Sequence, residues 1–127
     1  MSRSWVNSAS PYEEQYGFSR ALRVGDRVFV AGTAPIPQDG SSPPDSAFDQ
    51  AMLCFTIIAD ALDGVGAKRR HVVTSRMFIT DAAFADEVGR AHANSFGDAS
   101  PAATMVVVSR LLEPSWKVEV EVEAIVD

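Results

Sequence analysis

The stretch Lys117-Val-Glu-Val-Glu-Val-Glu-Ala-Ile-Val126 constrains this chain more than any other. A β-strand turns successive side chains to opposite faces. Val118, Val120, Val122, Ala124 and Val126 therefore share one side, and Glu119, Glu121, Glu123 and Ile125 the other. Such a strand belongs in a sheet with one face buried under helices and one face carrying charge.

The rest of the chain supplies partners for it. Arg20-Ala-Leu-Arg-Val24 and Arg27-Val-Phe-Val-Ala-Gly-Thr33 flank Gly25-Asp26, which predicts a hairpin. The first fifteen residues are polar and turn-rich, with room for a short strand around Trp5-Val6. Pro35 to Pro44 is a loop rich in Pro, Gly and Ser. A helix then opens at Asp45 or Ser46, and Phe48, Ala51, Met52, Phe55, Ile58, Ala59 and Leu62 form its apolar stripe. It should stop near Gly64 and Gly66.

Val72 to Thr80 reads as a strand, and Asp81 caps a second helix with Phe84, Val88, Ala91 and Phe96 inward, ending at Gly97. A strand is expected over Thr104 to Leu111, before the final one. The order β-β-α-β-α-β-β gives one α+β domain over residues 1–127, a mixed sheet with two helices on one face. The other face is expected to show Arg76, Phe78, Ala103, Met105 and Val107 beside the glutamates. A surface mixing such apolar and charged groups suits an interface with polar clefts, hence a homo-oligomer.

Composition excludes several function classes. No apolar run approaches the roughly 20 residues of a membrane span, and no signal-peptide core opens the chain. The single Cys54 falls in the helical apolar pattern and fits core packing in a reducing, cytoplasmic compartment. The formal net charge of −6 argues against a nucleic-acid partner, and Lys68-Arg69-Arg70 reads as a solvated helix end. His71 and His92 lie at no metal-ligand spacing, His71 in a turn without a visible partner and His92 near a buried helix stripe. The glycines form no phosphate-binding fingerprint.

Arg27-Val-Phe-Val-Ala-Gly-Thr33, Gln50-Ala51, Gly66-Ala67, Arg76-Met-Phe-Ile-Thr-Asp81, Pro101-Ala102 and Val120-Glu-Val-Glu-Ala-Ile125 follow one another in a familiar order. From Tyr16 to Val126 the chain resembles the RidA family, also called YjgF or L-PSP. The resemblance implies a chorismate-mutase-like fold and a homotrimer with clefts between subunits. It also implies hydrolysis of small reactive enamines and imines to 2-oxo acids and ammonia, without metal or cofactor.

By the same resemblance, Glu121 handles the hydrolytic water, and Phe18 and Gly32 line the substrate site, with Tyr16 two residues before Phe18; Thr33, next to Gly32, is read as offering a hydroxyl contact. The family's carboxylate-binding arginine falls on Ala103, and its active-site cysteine on Met105. The chain thus resembles an arginine-lacking branch, in which Arg76 is either a replacement anion contact or an interface ion pair. Glu119 and Glu123 are read as pairing with arginines. The alternative is a non-catalytic trimer that binds a small ligand or a partner in the same clefts.

Overall fold

The computed structural model describes Met1–Asp127. Its strands are β1 (Arg3–Val6), β2 (Ala21–Val24), β3 (Arg27–Thr33), β4 (Val72–Ile79), β5 (Ala102–Val107) and β6 (Val118–Ile125). Its helices are α1 (Pro11–Tyr16), α2 (Ala47–Gly64) and α3 (Ala85–Phe96). All six strands join one mixed sheet in the order β1-β2-β3-β6-β4-β5. Only β4 and β5 run parallel, and α3 makes the crossover between them. The chorismate-mutase-like α+β fold is the one expected.

β6 lies at the centre, antiparallel to both β3 and β4. Val118, Val120, Val122 and Ala124 are buried under α2, and Val126 packs at the edge of the same core. Phe55, Ile58 and Leu62 of α2 and Val88 and Phe96 of α3 fill the layer above them. The Ser46 side chain accepts from the Asp49 N–H at 3.0 Å, capping α2, and Asp81 accepts from Ala83 N–H at 2.8 Å before α3. The Arg23 guanidinium donates to Val65 O at 2.9 Å, closing the other end of α2. Cys54 is fully buried, and burial pushes its thiol far up, so it packs as a small apolar group.

Four expectations need correction. The turn-rich start holds the short strand expected around Trp5-Val6, as β1, but also the unforeseen helix α1, which has Ser10 as N-cap, Pro11 in its first turn and Gly17 in the left-handed region at φ 76° as C-cap. β5 is Ala102–Val107 rather than Thr104 to Leu111; the Val108 N–H bonds Ile79 O at 2.8 Å and the chain then leaves the sheet.

The register of β5 also reverses its expected faces. Ser75 pairs with Ala103, Arg76 with Thr104 and Met77 with Met105. Ser75 and Met77 are buried on the helix side, so Ala103, Met105 and Val107 belong to that side and not to the open face. Met105 packs against the core. Thr104 and Val106 take the open face instead, beside Arg76 and Phe78.

Last, His71 is not a partnerless turn residue. It is buried, its Nδ1 accepts from Lys68 N–H at 2.9 Å, and Nε2 faces Asp127 at 3.1 Å. The accepting Nδ1 fixes the proton on Nε2.

Candidate functional site

The pairing of β3 with β6 slips between Val30 and Thr33. Val30 faces Val122 and Thr33 faces Val120, so Ala31 and Gly32 together stand opposite Glu121. This is a β-bulge, a device that kinks a strand and re-aims its groups. It is held from beneath by a buried ion pair. Arg20 Nε donates to Glu13 Oε2 at 2.8 Å, and Arg20 Nη1 donates to Gly32 O at 2.5 Å and to Thr33 Oγ1 at 3.1 Å. Both charged side chains are at most 4% exposed. Glu13 in turn accepts from Ser8 N–H at 2.7 Å, and the Ser8 hydroxyl donates to its other oxygen.

Two recesses open beside the bulge. The first, of about 100 Å³, is lined by Tyr12, Tyr16, Phe18 and Trp116 with Gly32, Arg20 and Glu119. A Cβ at Gly32 would lie 2.7 Å from Glu119 Oε1, the end of a flexible side chain, so the carboxylate rests close against this bare backbone. Tyr12 and Tyr16 stack with centroids 6.0 Å apart, and Tyr12 meets Trp116 edge-on at 6.3 Å. Burial pushes the Glu119 carboxyl above its ordinary pKa; Arg20 pulls it down and the negative Glu121 adds to the rise. Gln50 braces the segments that lead into α2 and β6. Its Nε2 donates to Pro44 O and Ser115 O, at 2.9 and 3.0 Å, and its Oε1 accepts from Lys117 N–H at 2.8 Å, fixing the start of β6.

The second recess is the concave open face of the sheet, about 660 Å³, with Trp5, Phe18, Leu22, Phe29, Arg76, Glu121 and Glu123 among its lining. Arg76 lies directly across from Glu121 and reaches both carboxylates, Glu121 at 3.3 Å and Glu123 at 3.5 Å. Thr74 Oγ1 adds a 3.3 Å bond to Glu123. Arg76 therefore has two acidic partners within its own chain.

Of the residues singled out in the sequence, Phe18 lines both recesses, Gly32 the first, and Arg76 and Glu121 the second. Thr33 turns its hydroxyl inward. It is 1% exposed, and its hydroxyl donates to Ala31 O at 2.8 Å while accepting from Arg20. Ala103 and Met105 stand on the edge strand, outside both recesses. Glu119, read as an ion-pair residue, instead faces Gly32 and the aromatic walls, and none of the ion pairs includes it. Alternation alone makes it equivalent to Glu121. His92 sits between Phe55 and Phe96, with Nε2 at 2.7 Å from Ser75 Oγ, and burial holds its pKa down.

A family model described as Endoribonuclease L-PSP matches residues 9–126. The chain belongs to the RidA/YjgF/L-PSP family. It is 35% identical over 119 residues to an uncharacterised protein of Streptomyces coelicolor, covering 94% of this chain and 89% of that one. A RutC family protein of Pyrococcus abyssi is 31% identical over 109 residues, covering 85% and 84%. Among solved structures, a YjgF/YER057c/UK114 family member from Mycobacterium tuberculosis superposes with a TM-score of 0.89 at 38% identity, covering 98% of this chain and all of that one. Escherichia coli TdcF, solved with bound serine, shares the fold at a TM-score of 0.83 and 21% identity, covering 96% and 94%. Within the L-PSP fold of this chain, no helix is long and apolar enough to cross a membrane.

Proposed function

We propose that this RidA-family protein hydrolyses a small imine or enamine to a carbonyl compound and ammonia, in a cleft completed between subunits of a homotrimer. The observation that supports this reading is the position of Glu119 and Glu121. Both project from one strand face, beside the β3 bulge and the Phe18 wall. Two carboxylates in different surroundings can divide acid and base roles.

In this reading Glu121 takes a proton from water as the water oxygen bonds to the imine carbon. Glu119, whose raised pKa lets it hold a proton at a higher pH than an exposed glutamate, exchanges that proton with the nitrogen. Glu121 then passes the proton it took from water to the carbinolamine nitrogen, the C–N bond breaks, and Glu119 accepts the hydroxyl proton, so ammonia and the carbonyl compound leave with both carboxyl groups back in their starting states. Phe18 walls the site, and the bare backbone at Gly32 admits a close approach.

Ala103 stands where the resemblance expects the arginine that binds a substrate carboxylate, and Arg76 is occupied by two glutamates. The substrate proposed here therefore lacks an α-carboxylate. An ammonia-release assay over 2-aminoacrylate and a panel of uncharged imines tests this. Turnover of the uncharged imines is expected, falling about 10²-fold or more in Glu121→Gln. A panel left wholly unhydrolysed sinks the proposal.

The Arg76–Glu121 pair favours a second reading, a non-catalytic trimer binding a small ligand, because Arg76 already occupies the Glu121 carboxylate that would have to meet water. That protein would show saturable thermal stabilisation by a ligand without turnover. Serine, bound in TdcF, is a natural member of such a screen.

A further inference from the structure

The small recess beside α1 has a chemical character of its own. Four aromatic side chains, Tyr12, Tyr16, Phe18 and Trp116, line it with the carboxylate of Glu119 and with Arg20, whose guanidinium lies 5.6 Å from the Phe18 ring centroid. Aromatic faces carry negative electrostatic potential, and a positive group among several of them is held without needing a full hydration shell. A carboxylate at the wall of the same space adds the opposite charge.

The charges around Glu119 do not satisfy it. Arg20 is the nearest candidate, yet its Nε is bonded to Glu13 and its Nη1 to Gly32 O and Thr33 Oγ1. Arg110, which lines an adjoining opening with Glu119, donates to Leu111 O at 3.1 Å and Leu112 O at 3.3 Å. Neither arginine is ion-paired with Glu119, whereas Glu121 and Glu123 share Arg76. Burial already disfavours the Glu119 anion, and a cation bound beside it would reverse that cost.

We infer that this recess binds the charged end of a small organic cation, an alkylammonium or a protonated imine without a carboxylate. The space of about 100 Å³ suits a compact ammonium head rather than a flat heterocycle with substituents. A carboxylate ligand would meet Glu119 and find Arg20 already engaged. A metal ion would find one carboxylate and aromatic carbon, too few oxygen ligands for a hard cation. The inference deepens the proposed function and rests on it only for the reacting bond: the imine nitrogen, once it has taken the proton from Glu119, is the positive group held beside that carboxylate.

Calorimetric titration of the assembled wild-type protein tests this without any turnover. Choline and tetramethylammonium are the cationic probes, acetate is the anionic one, and 3,3-dimethyl-1-butanol is the uncharged isostere of choline. Saturable choline binding is expected, about tenfold or more tighter than the isostere. Glu119→Gln should weaken choline about tenfold or more while leaving the isostere unchanged. Tyr16→Ala, at a residue 65% exposed, should weaken it by about three- to tenfold. Glu14→Gln, an exposed charge elsewhere on α1, should change nothing.

Equal affinity for choline and its isostere overturns the inference, as does acetate binding in preference to choline. If Glu119→Gln fails to fold, the isostere comparison and Tyr16→Ala decide alone. Choline binding with no imine hydrolysis removes the hydrolase and leaves this site standing. Imine hydrolysis without choline binding does the reverse.

Discussion

The recess beside α1 and the open face of the sheet are built from glutamates of the same strand, two residues apart, yet they behave differently. On the open face, Arg76 bridges Glu121 and Glu123 with its side chain 47% exposed. Water screens that network, and its charges compensate one another. In the recess, Glu119 is crowded by Gly32 and aromatic rings, while the arginine beneath is spent on the bulge. Residue type and strand position are shared. What separates the two is whether a cation reaches the carboxylate and how much water remains around it.

The largest effect expected from disturbing this contrast lies under the bulge. Glu13→Ala should destabilise the fold by about 3–5 kcal/mol in urea denaturation, because it strands the buried Arg20 charge. Arg76→Ala on the open face should cost only about 0–1 kcal/mol. Similar losses for the two would dissolve the distinction between the regions.

Gly32→Ala comes next. The new Cβ would overlap Glu119 Oε1, the end of a flexible side chain, so the carboxylate can swing away. Stability should fall by about 1–2 kcal/mol. Any ligand binding that depends on Glu119 should suffer more than stability does, as a comparison of melting and titration curves would reveal.

A subtler effect is in pH. Glu119 has a folded pKa above its unfolded value, so the folded state binds more protons between the two. Stability from this group is complete below the unfolded value and declines as pH rises toward the folded one. Glu119→Gln should therefore raise the melting temperature at neutral pH, with the gain vanishing below the ordinary glutamate range. A variant equally stable at all pH values would place Glu119 in solvent after all. His92 has the opposite sign: its lowered pKa makes stability fall as pH drops below the ordinary histidine value.

The smallest effect on the fold, and the most informative about the cleft, is Ala103→Arg. The residue is exposed on the edge strand, so stability should move by under about 0.5 kcal/mol. If a neighbouring copy brings this strand to the site, affinity for carboxylate ligands should rise about tenfold in titration.

Much of the architecture was legible because alternation and helical stripes are local signals. The hairpin at Gly25-Asp26, the α2 cap at Ser46 and the buried valines of β6 all sit where the pattern puts them. α1 was missed because its six residues are too short for periodicity, though Ser10-Pro11 and Gly17 mark both ends. The faces of β5 were misassigned because Ala102-Ala-Thr-Met-Val-Val107 has no polar alternation to fix its register. The inward turn of the Thr33 hydroxyl onto Ala31 O is not legible either, because nothing in sequence tells a hydroxyl turned inward from one turned outward. Glu119 and Glu121 look identical until the neighbouring strands supply Phe78 opposite one and Arg76 opposite the other.

β6 follows every strand in the chain, yet it lies between β3 and β4. Before it is in place, β1-β2-β3 and β4-β5 are separate fragments, each with an unsatisfied edge. Its pairing with Arg27–Thr33 closes a loop of most of the chain, which slows assembly of the sheet. The alternating valines and glutamates thus act as a zipper that arrives last. Until it arrives, the two half-sheets are exposed to pairing with the wrong edge, and a growing chain needs shielding at that stage.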